Sequence, residues 1–177
     1  LRKFLNKINP TEIPDNLTSF YYTNILIKKN LEKKVKFNNN VMHQSKLVNY
    51  FNGDYAKSKI EKDVNNFLNK IKKDKKYFFS KKDVIFIESL KSDGIEISKK
   101  FNDLYEINTS EIPTDIQVMI NNNQKGTALL RIVEVIGQDN LDRMDDDTIY
   151  FVISTLNQLN INLLRNKILF KVLPLKV

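Results

Sequence analysis

The pattern of apolar and polar positions along the chain is helical almost throughout. In residues 55–74 the apolar positions Ile60, Val64, Phe67, Leu68 and Ile71 recur at three- and four-residue intervals, which puts them on one face of an amphipathic helix. Residues 15–29 repeat that spacing with Leu17, Phe20, Tyr21 and Ile25. Residues 31–52 read as a helix whose weak point is Asn38, Asn39 and Asn40. Ser80 followed by Asp83 forms an N-cap pair that opens a helix over 81–92 with Val84, Ile85 and Ile87. A short helix is expected at 98–105, with Phe101, Leu104 and Tyr105. Another is expected over 115–123, capped by Thr114 and carrying Ile116, Met119 and Ile120.

The last third is more apolar. Over 127–136 only Thr127, Arg131 and Glu134 interrupt Ala128, Leu129, Leu130, Ile132, Val133, Val135 and Ile136. A helix apolar nearly all round is expected to be buried on most sides. Helices over 147–159 and 161–173 should pack against it. The run Thr148–Ile153 has strand propensity, but its aspartate-rich start and the later Leu156 and Leu159 favour helix. Gly53, Gly94 and Gly137 each follow a helical run where a left-handed residue is wanted, and Gly126 precedes one. Pro10, Pro14, Pro113 and Pro174 lie near segment ends, where a missing N–H costs least. No strand pair is apparent. The expectation is an all-α fold of antiparallel helical pairs, either an α-solenoid fragment or an irregular bundle.

Composition narrows the chemistry. With no cysteine, the chain has no disulfide, thiolate metal site or cysteine nucleophile, and one histidine excludes a His-pair metal site. No run approaches the about 18 apolar residues that a membrane span needs. No P-loop, G-x-G-x-x-G or G-x-S-x-G motif fits four scattered glycines. The chain starts at Leu1 rather than Met, which reads as a fragment or a processed product, and no compartment is assigned.

Charge is unevenly placed. Residues 1–90 carry 19 basic and 9 acidic groups, and residues 91–177 carry 10 and 12. The organisation is therefore a Lys-rich, repeat-like helical segment over 1–92 and an apolar helical segment over 93–177, joined as one continuous unit. Lys28, Lys29, Lys33, Lys34 and Lys36 form a first basic cluster. A second comprises Lys70, Lys72, Lys73, Lys75, Lys76, Lys81 and Lys82, and it brackets Tyr77, Phe78 and Phe79. The candidate binding residues are Lys72, Lys73, Lys75, Lys76, Tyr77, Phe78, Phe79, Lys81 and Lys82. A basic–aromatic mixture of this kind can hold phosphates while a ring stacks on a base. It can equally be a solvated lysine face whose aromatics anchor a helix–helix turn. Arg, the preferred bidentate reader of phosphate and guanine, does not occur there. Lys and Asn also have A/T-rich codons, so the positive charge has two readings, function or genome composition.

Other constellations have structural readings. The acidic run Asp139, Asp142, Asp145, Asp146 and Asp147 lacks the glycine and glutamate of a calcium loop, and it suits the start of helix 147–159. Arg131 and Glu134, three apart, read as an ion pair shared with Arg165 rather than as an acid for proton transfer. His43 reads as structural or as surface-exposed. Glu88-Ser89 resembles the Glu-Ser pair of lytic transglycosylases, but their glycine-rich, Met-Gln-containing segment does not follow. No catalytic residue, metal site or cofactor is assigned.

Tyr50-Phe51-Asn52-Gly53-Asp54-Tyr55 resembles the turn between the paired helices of a tetratricopeptide-like repeat, over roughly residues 41–71. Ser58 stands at that repeat's alanine position, and Lys62 and Asn65 at positions usually apolar or small. The stretch from Leu129-Leu130-Arg131-Ile132-Val133-Glu134-Val135-Ile136-Gly137 to Leu173-Pro174-Leu175 is similar to the end of large, uncharacterised all-helical proteins of alphaproteobacteria, over most of residues 80–177. That resemblance implies the tail of a longer helical-repeat protein and no activity. The function expected is a non-catalytic scaffold or interaction module with a protein partner. The alternative is a module that binds RNA or an anionic surface through the lysine clusters.

Overall fold

The computed structural model describes residues 39–105, 112–137 and 140–173. The chain divides into units at Lys36/Phe37, and all described residues belong to the second. The expected helix over 15–29 and the start of the one over 31–52 lie outside the described residues.

The architecture is all-α, with no strand among the described residues. Its helices are α1 (Ser45–Val48), α2 (Lys57–Lys73), α3 (Lys81–Ser92), α4 (Thr114–Asn121), α5 (Lys125–Ile136), α6 (Asp146–Gln158) and α7 (Asn162–Val172). Short 3-10 segments lie at Asn49–Asn52, Lys99–Leu104 and Leu141–Arg143. The region up to Gly53 is therefore no continuous helix. From Asn39 the chain turns, makes one helical turn in α1 and tightens into a 3-10 turn.

The helix expected over 98–105 is likewise 3-10 rather than α. Phe101 is its one buried anchor, and side chains of α2 hold the backbone just before it. Glu61 Oε2 accepts the Glu96 N–H at 3.1 Å. Asn65 Oδ1 accepts the Ser98 N–H at 3.1 Å, and Asn65 Nδ2 donates to the Glu96 carbonyl at 2.9 Å.

Two further expectations change. Pro113, not Thr114, occupies the N-cap of α4 and makes no side-chain cap bond. The missing proline N–H is harmless at a helix start, so Thr114 already lies in the first turn. Gly126 sits inside the first turn of α5 rather than before it.

The centre of the fold is α3. Val84, Ile85, Phe86, Ile87 and Leu90 are all buried, and α3 packs along α6 through Ile149, Val152, Ile153 and Leu156. Helix α7 closes on α6 and on the Asn49–Asn52 turn. Phe51 from that turn meets Phe86 edge to face at 5.5 Å. The burial expected of 127–136 does not occur. In α5 only Ala128 and Ile132 are buried, while Leu130 is 72 % and Val133 62 % exposed. Among the described residues α5 packs chiefly on α4 and reaches the core through Ile132, leaving Leu130 and Val133 exposed.

Left-handed residues end the helices. Gly94 has φ +73°, its N–H donates to the Lys91 carbonyl, and the Ile95 N–H donates to the Leu90 carbonyl. That bond pair is the Schellman closure of α3. Asn123 and Asn160, both at φ 56°, close α4 and α6 in the same way. Asn tolerates the left-handed region better than other residues with a Cβ.

Candidate functional site

The corner between α2 and α3 carries the basic–aromatic cluster, and there a cleft of ≈ 600 Å³ opens. Its lining comes from three places: Ile71, Lys72, Asp74 and Lys75 at the end of α2; Tyr77 to Lys81 in the connection; and Asp103 and Leu104 from the 3-10 segment. The cluster's sequence names the first two groups. Asp103 and Leu104 arrive only through tertiary packing, and no local signal marks them.

The connection is fixed by one buried carboxylate. Asp83 Oδ2 accepts the Ser80 N–H at 2.7 Å and the Ser80 hydroxyl at 2.8 Å, and Ser80 Oγ accepts the Asp83 N–H, completing the expected capping box. Asp83 Oδ1 accepts the Tyr77 hydroxyl at 2.9 Å, and that hydroxyl accepts the Met42 N–H at 2.8 Å. Burial, with Asp83 beside it, pushes the Tyr77 phenol well above its ordinary range, so it stays protonated. His43 is buried with Nε2 3.9 Å from Asp83 Oδ1. Burial lowers its pKa against the opposing pull of Asp83. Tyr77 and Asp83 are therefore consumed in holding the corner.

The three aromatics divide their roles. Tyr77 and Phe79 stand edge to face at 5.6 Å, within a ladder running from Phe67 to Tyr105. Their rings belong to the fold's edge. Phe78 is 88 % exposed. A large ring left in water on a corner whose neighbours are packed is the least expected apolar position in the cluster.

The lysines divide as well. Lys81 pairs with Asp147, and Lys82 lies 3.8 Å from Asp146, so both tie α3 to the start of α6. Lys72 Nζ donates to the Lys100 carbonyl at 2.8 Å, which positions the ammonium without neutralising it. Lys73, Lys75 and Lys76 are exposed and form no ion pair among the described residues. Asp74 turns back on its own chain, where Oδ1 accepts the Lys76 N–H at 3.0 Å. Of the candidate residues, Lys72, Lys75, Tyr77, Phe78, Phe79 and Lys81 line the cleft, with Lys73 and Lys76 exposed on the same turn. The Tyr77 and Phe79 rings and the Lys81 and Lys82 ammoniums are at the same time engaged in holding the fold.

Of the acidic run, Asp139 lies outside the described residues. Asp145 caps α6: its carboxylate accepts the Thr148 hydroxyl at 2.7 Å and the Thr148 N–H at 2.9 Å, and those bonds lower its pKa. No group of three His, Cys, Asp or Glu among the described residues could hold a metal ion. Glu88 accepts the Tyr150 hydroxyl at 3.3 Å, and burial raises its pKa. Arg131 pairs at the surface with Glu134 at 2.6 Å and Asp115 at 3.3 Å, and Arg165 takes no part. Arg165 is instead 0 % exposed. It bonds Asp93 at 2.6 Å, Asn157 at 3.0 Å and Asn166 at 2.7 Å, and it reaches the Ser89 carbonyl at 3.4 Å. Among the described residues, no helix is long and apolar enough to cross a membrane. Comparison with protein-family models, with curated proteins and with solved structures finds no match to this chain.

Proposed function

We propose that the chain is a non-catalytic helical interaction module that docks a segment of a protein partner at the α2–α3 corner. The observation that carries this reading is Phe78. It is 88 % exposed beside a cleft of ≈ 600 Å³, on a connection held rigid by the Asp83 bonds. A fixed aromatic beside a partly apolar cleft is the kind of anchor that dominates protein–protein binding energy. The resemblance of residues 41–71 to tetratricopeptide-like repeats agrees with this reading, because such repeats present partners to grooves of stacked helices.

The test compares partners co-purified from the native cells by the wild-type chain, by Phe78→Ala and by the double variant Lys75→Glu/Lys76→Glu. Proteins retained by the wild type and lost with both variants are the expected result. Identical retention by all three would overturn the reading.

A second reading, an RNA- or anionic-surface-binding module, draws on the uncompensated charges of Lys72, Lys73, Lys75 and Lys76. Direct RNA binding separates the two. Oligouridine bound by the chain alone, with affinity falling steeply between about 0.05 and 0.2 M salt, favours the second reading, whereas partner capture without RNA binding favours the first.

A further inference from the structure

The corner's chemistry also restricts what enters the cleft. Resting on the interaction-module reading, we propose that the occupant is a short acidic–apolar segment of the partner protein. Its apolar side chain would seat against Phe78, Ile71 and Leu104, and its carboxylates would lie on the lysines of the 72–76 turn.

Three observations lead there. The first is the polar inventory of the cleft floor. The Tyr77 hydroxyl is spent between Met42 and Asp83, and the Ser80 hydroxyl is spent on Asp83. Neither is left to read the edge of a nucleobase. A base inserted there would find only the Lys72, Lys75, Asp74 and Asp103 side chains to replace its hydrogen bonds with water, whereas an aliphatic or aromatic side chain needs no replacement. The second is the stacking surface. Of the three aromatics only Phe78 offers an open ring, because Tyr77 and Phe79 are engaged edge to face with each other. A nucleic-acid strand uses successive platforms, and one ring does not provide a track. The third is charge. Lys72, Lys73, Lys75 and Lys76 lie within five residues, and they outnumber Asp74 and Asp103, the two carboxylates that line the same cleft. Lysine ammoniums are point charges on flexible stems that suit single carboxylates, and no guanidinium is present for bidentate phosphate recognition. An excess of positive charge of this kind speeds encounter with an acidic segment and selects against a basic one.

The experiment measures fluorescence anisotropy of the full chain with three labelled probes. One is a short peptide alternating Asp and Glu with Leu and Phe. The second is the same peptide with every Leu and Phe replaced by Ser. The third is an oligouridine RNA of similar length. The acidic–apolar peptide should bind. Phe78→Ala and Lys75→Glu/Lys76→Glu should each weaken it by about tenfold or more, the loss expected of one anchoring contact. The serine peptide should bind at least about tenfold more weakly. All the substituted side chains are exposed, so unaltered circular dichroism is expected and checks the fold.

Tighter binding of oligouridine than of the peptide would overturn the proposal. So would peptide binding indifferent to Phe78→Ala, or no peptide binding at all. Cellular capture that depends on Phe78, together with a peptide that fails to bind, would overturn only the acidic–apolar assignment. Loss of both would overturn the interaction-module reading as well.

Discussion

Helices α3 and α5 reverse what their compositions suggest. Helix α5 is apolar nearly all round, yet Leu130 and Val133 stand in water. Helix α3 carries Asp83, Glu88 and Ser89 among its apolar residues, yet it is the buried centre of the fold. The difference lies in how polar groups are satisfied. Asp83 is consumed by the capping box and Tyr77. The Ser89 hydroxyl donates to the Ile85 carbonyl at 2.7 Å, and Glu88 accepts from Tyr150. The buried Asp83 and Ser89 and the half-buried Glu88 therefore each have a partner and escape the penalty of an orphaned group. An apolar helix has no such obstacle to burial, but it is buried only if another element is placed to cover it. Being apolar is permission for burial, and the neighbours decide.

Substitutions can break this contrast, beginning with the largest effect. Arg165 lies against the C-terminal end of α3, bonding Asp93 and reaching the Ser89 carbonyl, with Phe51 5.9 Å beneath its guanidinium. Arg165→Met leaves the Asp93 carboxylate unpaired and should destabilise the chain by about 3–5 kcal/mol in urea unfolding. A loss under about 1 kcal/mol would show that water reaches Asp93 and that the end of α3 is not sealed. Asp83→Ala removes the capping box and the acceptor of a half-buried phenol, and by the same measurement should cost about 2–3 kcal/mol.

Glu88 gives a smaller, pH-dependent signal. Its pKa is raised in the fold by burial, so the folded state favours the protonated form. The stability that Glu88 contributes is fully present below its unfolded value and is lost as pH rises through its folded value. Glu88→Gln does not titrate and still accepts from Tyr150. The stability of the variant relative to wild type should therefore grow as pH rises above about 4.5. A constant difference across that range would mean that Glu88 is fully solvated.

The smallest effect belongs to α5. Leu130→Ser should change stability by less than about 0.5 kcal/mol, as expected for a surface position. A loss of roughly 2–5 kcal/mol would reveal that the face is covered in solution.

Much of the local structure was legible because its causes are local. Ser80 and Asp83 cap α3 through residues three apart, Asp145 caps α6, and Gly53, Gly94 and Gly137 take positive φ where helical runs stop. Asn123 and Asn160 carry the same stop signal in a weaker form, because Asn after an apolar run can take the left-handed conformation but does so less readily than Gly. The candidate site was legible in part. The run Lys72–Lys82 marks the corner, but nothing in it distinguishes Phe78, which is exposed, from Tyr77 and Phe79, which are packed. That division depends on Met42, Phe67 and Tyr105, which lie at distant chain positions.

The sequence by itself determined that this protein is built of helices, where most of them stop, and which chemistries its side chains lack. Periodicity, caps and composition act over a few residues and need no knowledge of neighbours. Only the tertiary structure decided that α3 rather than α5 forms the centre, that Arg165 is sealed inside, and that Asp103 and Leu104 complete a cleft beside Phe78. Burial is a relation between elements, and one helix's pattern cannot state which other helix will come to cover it.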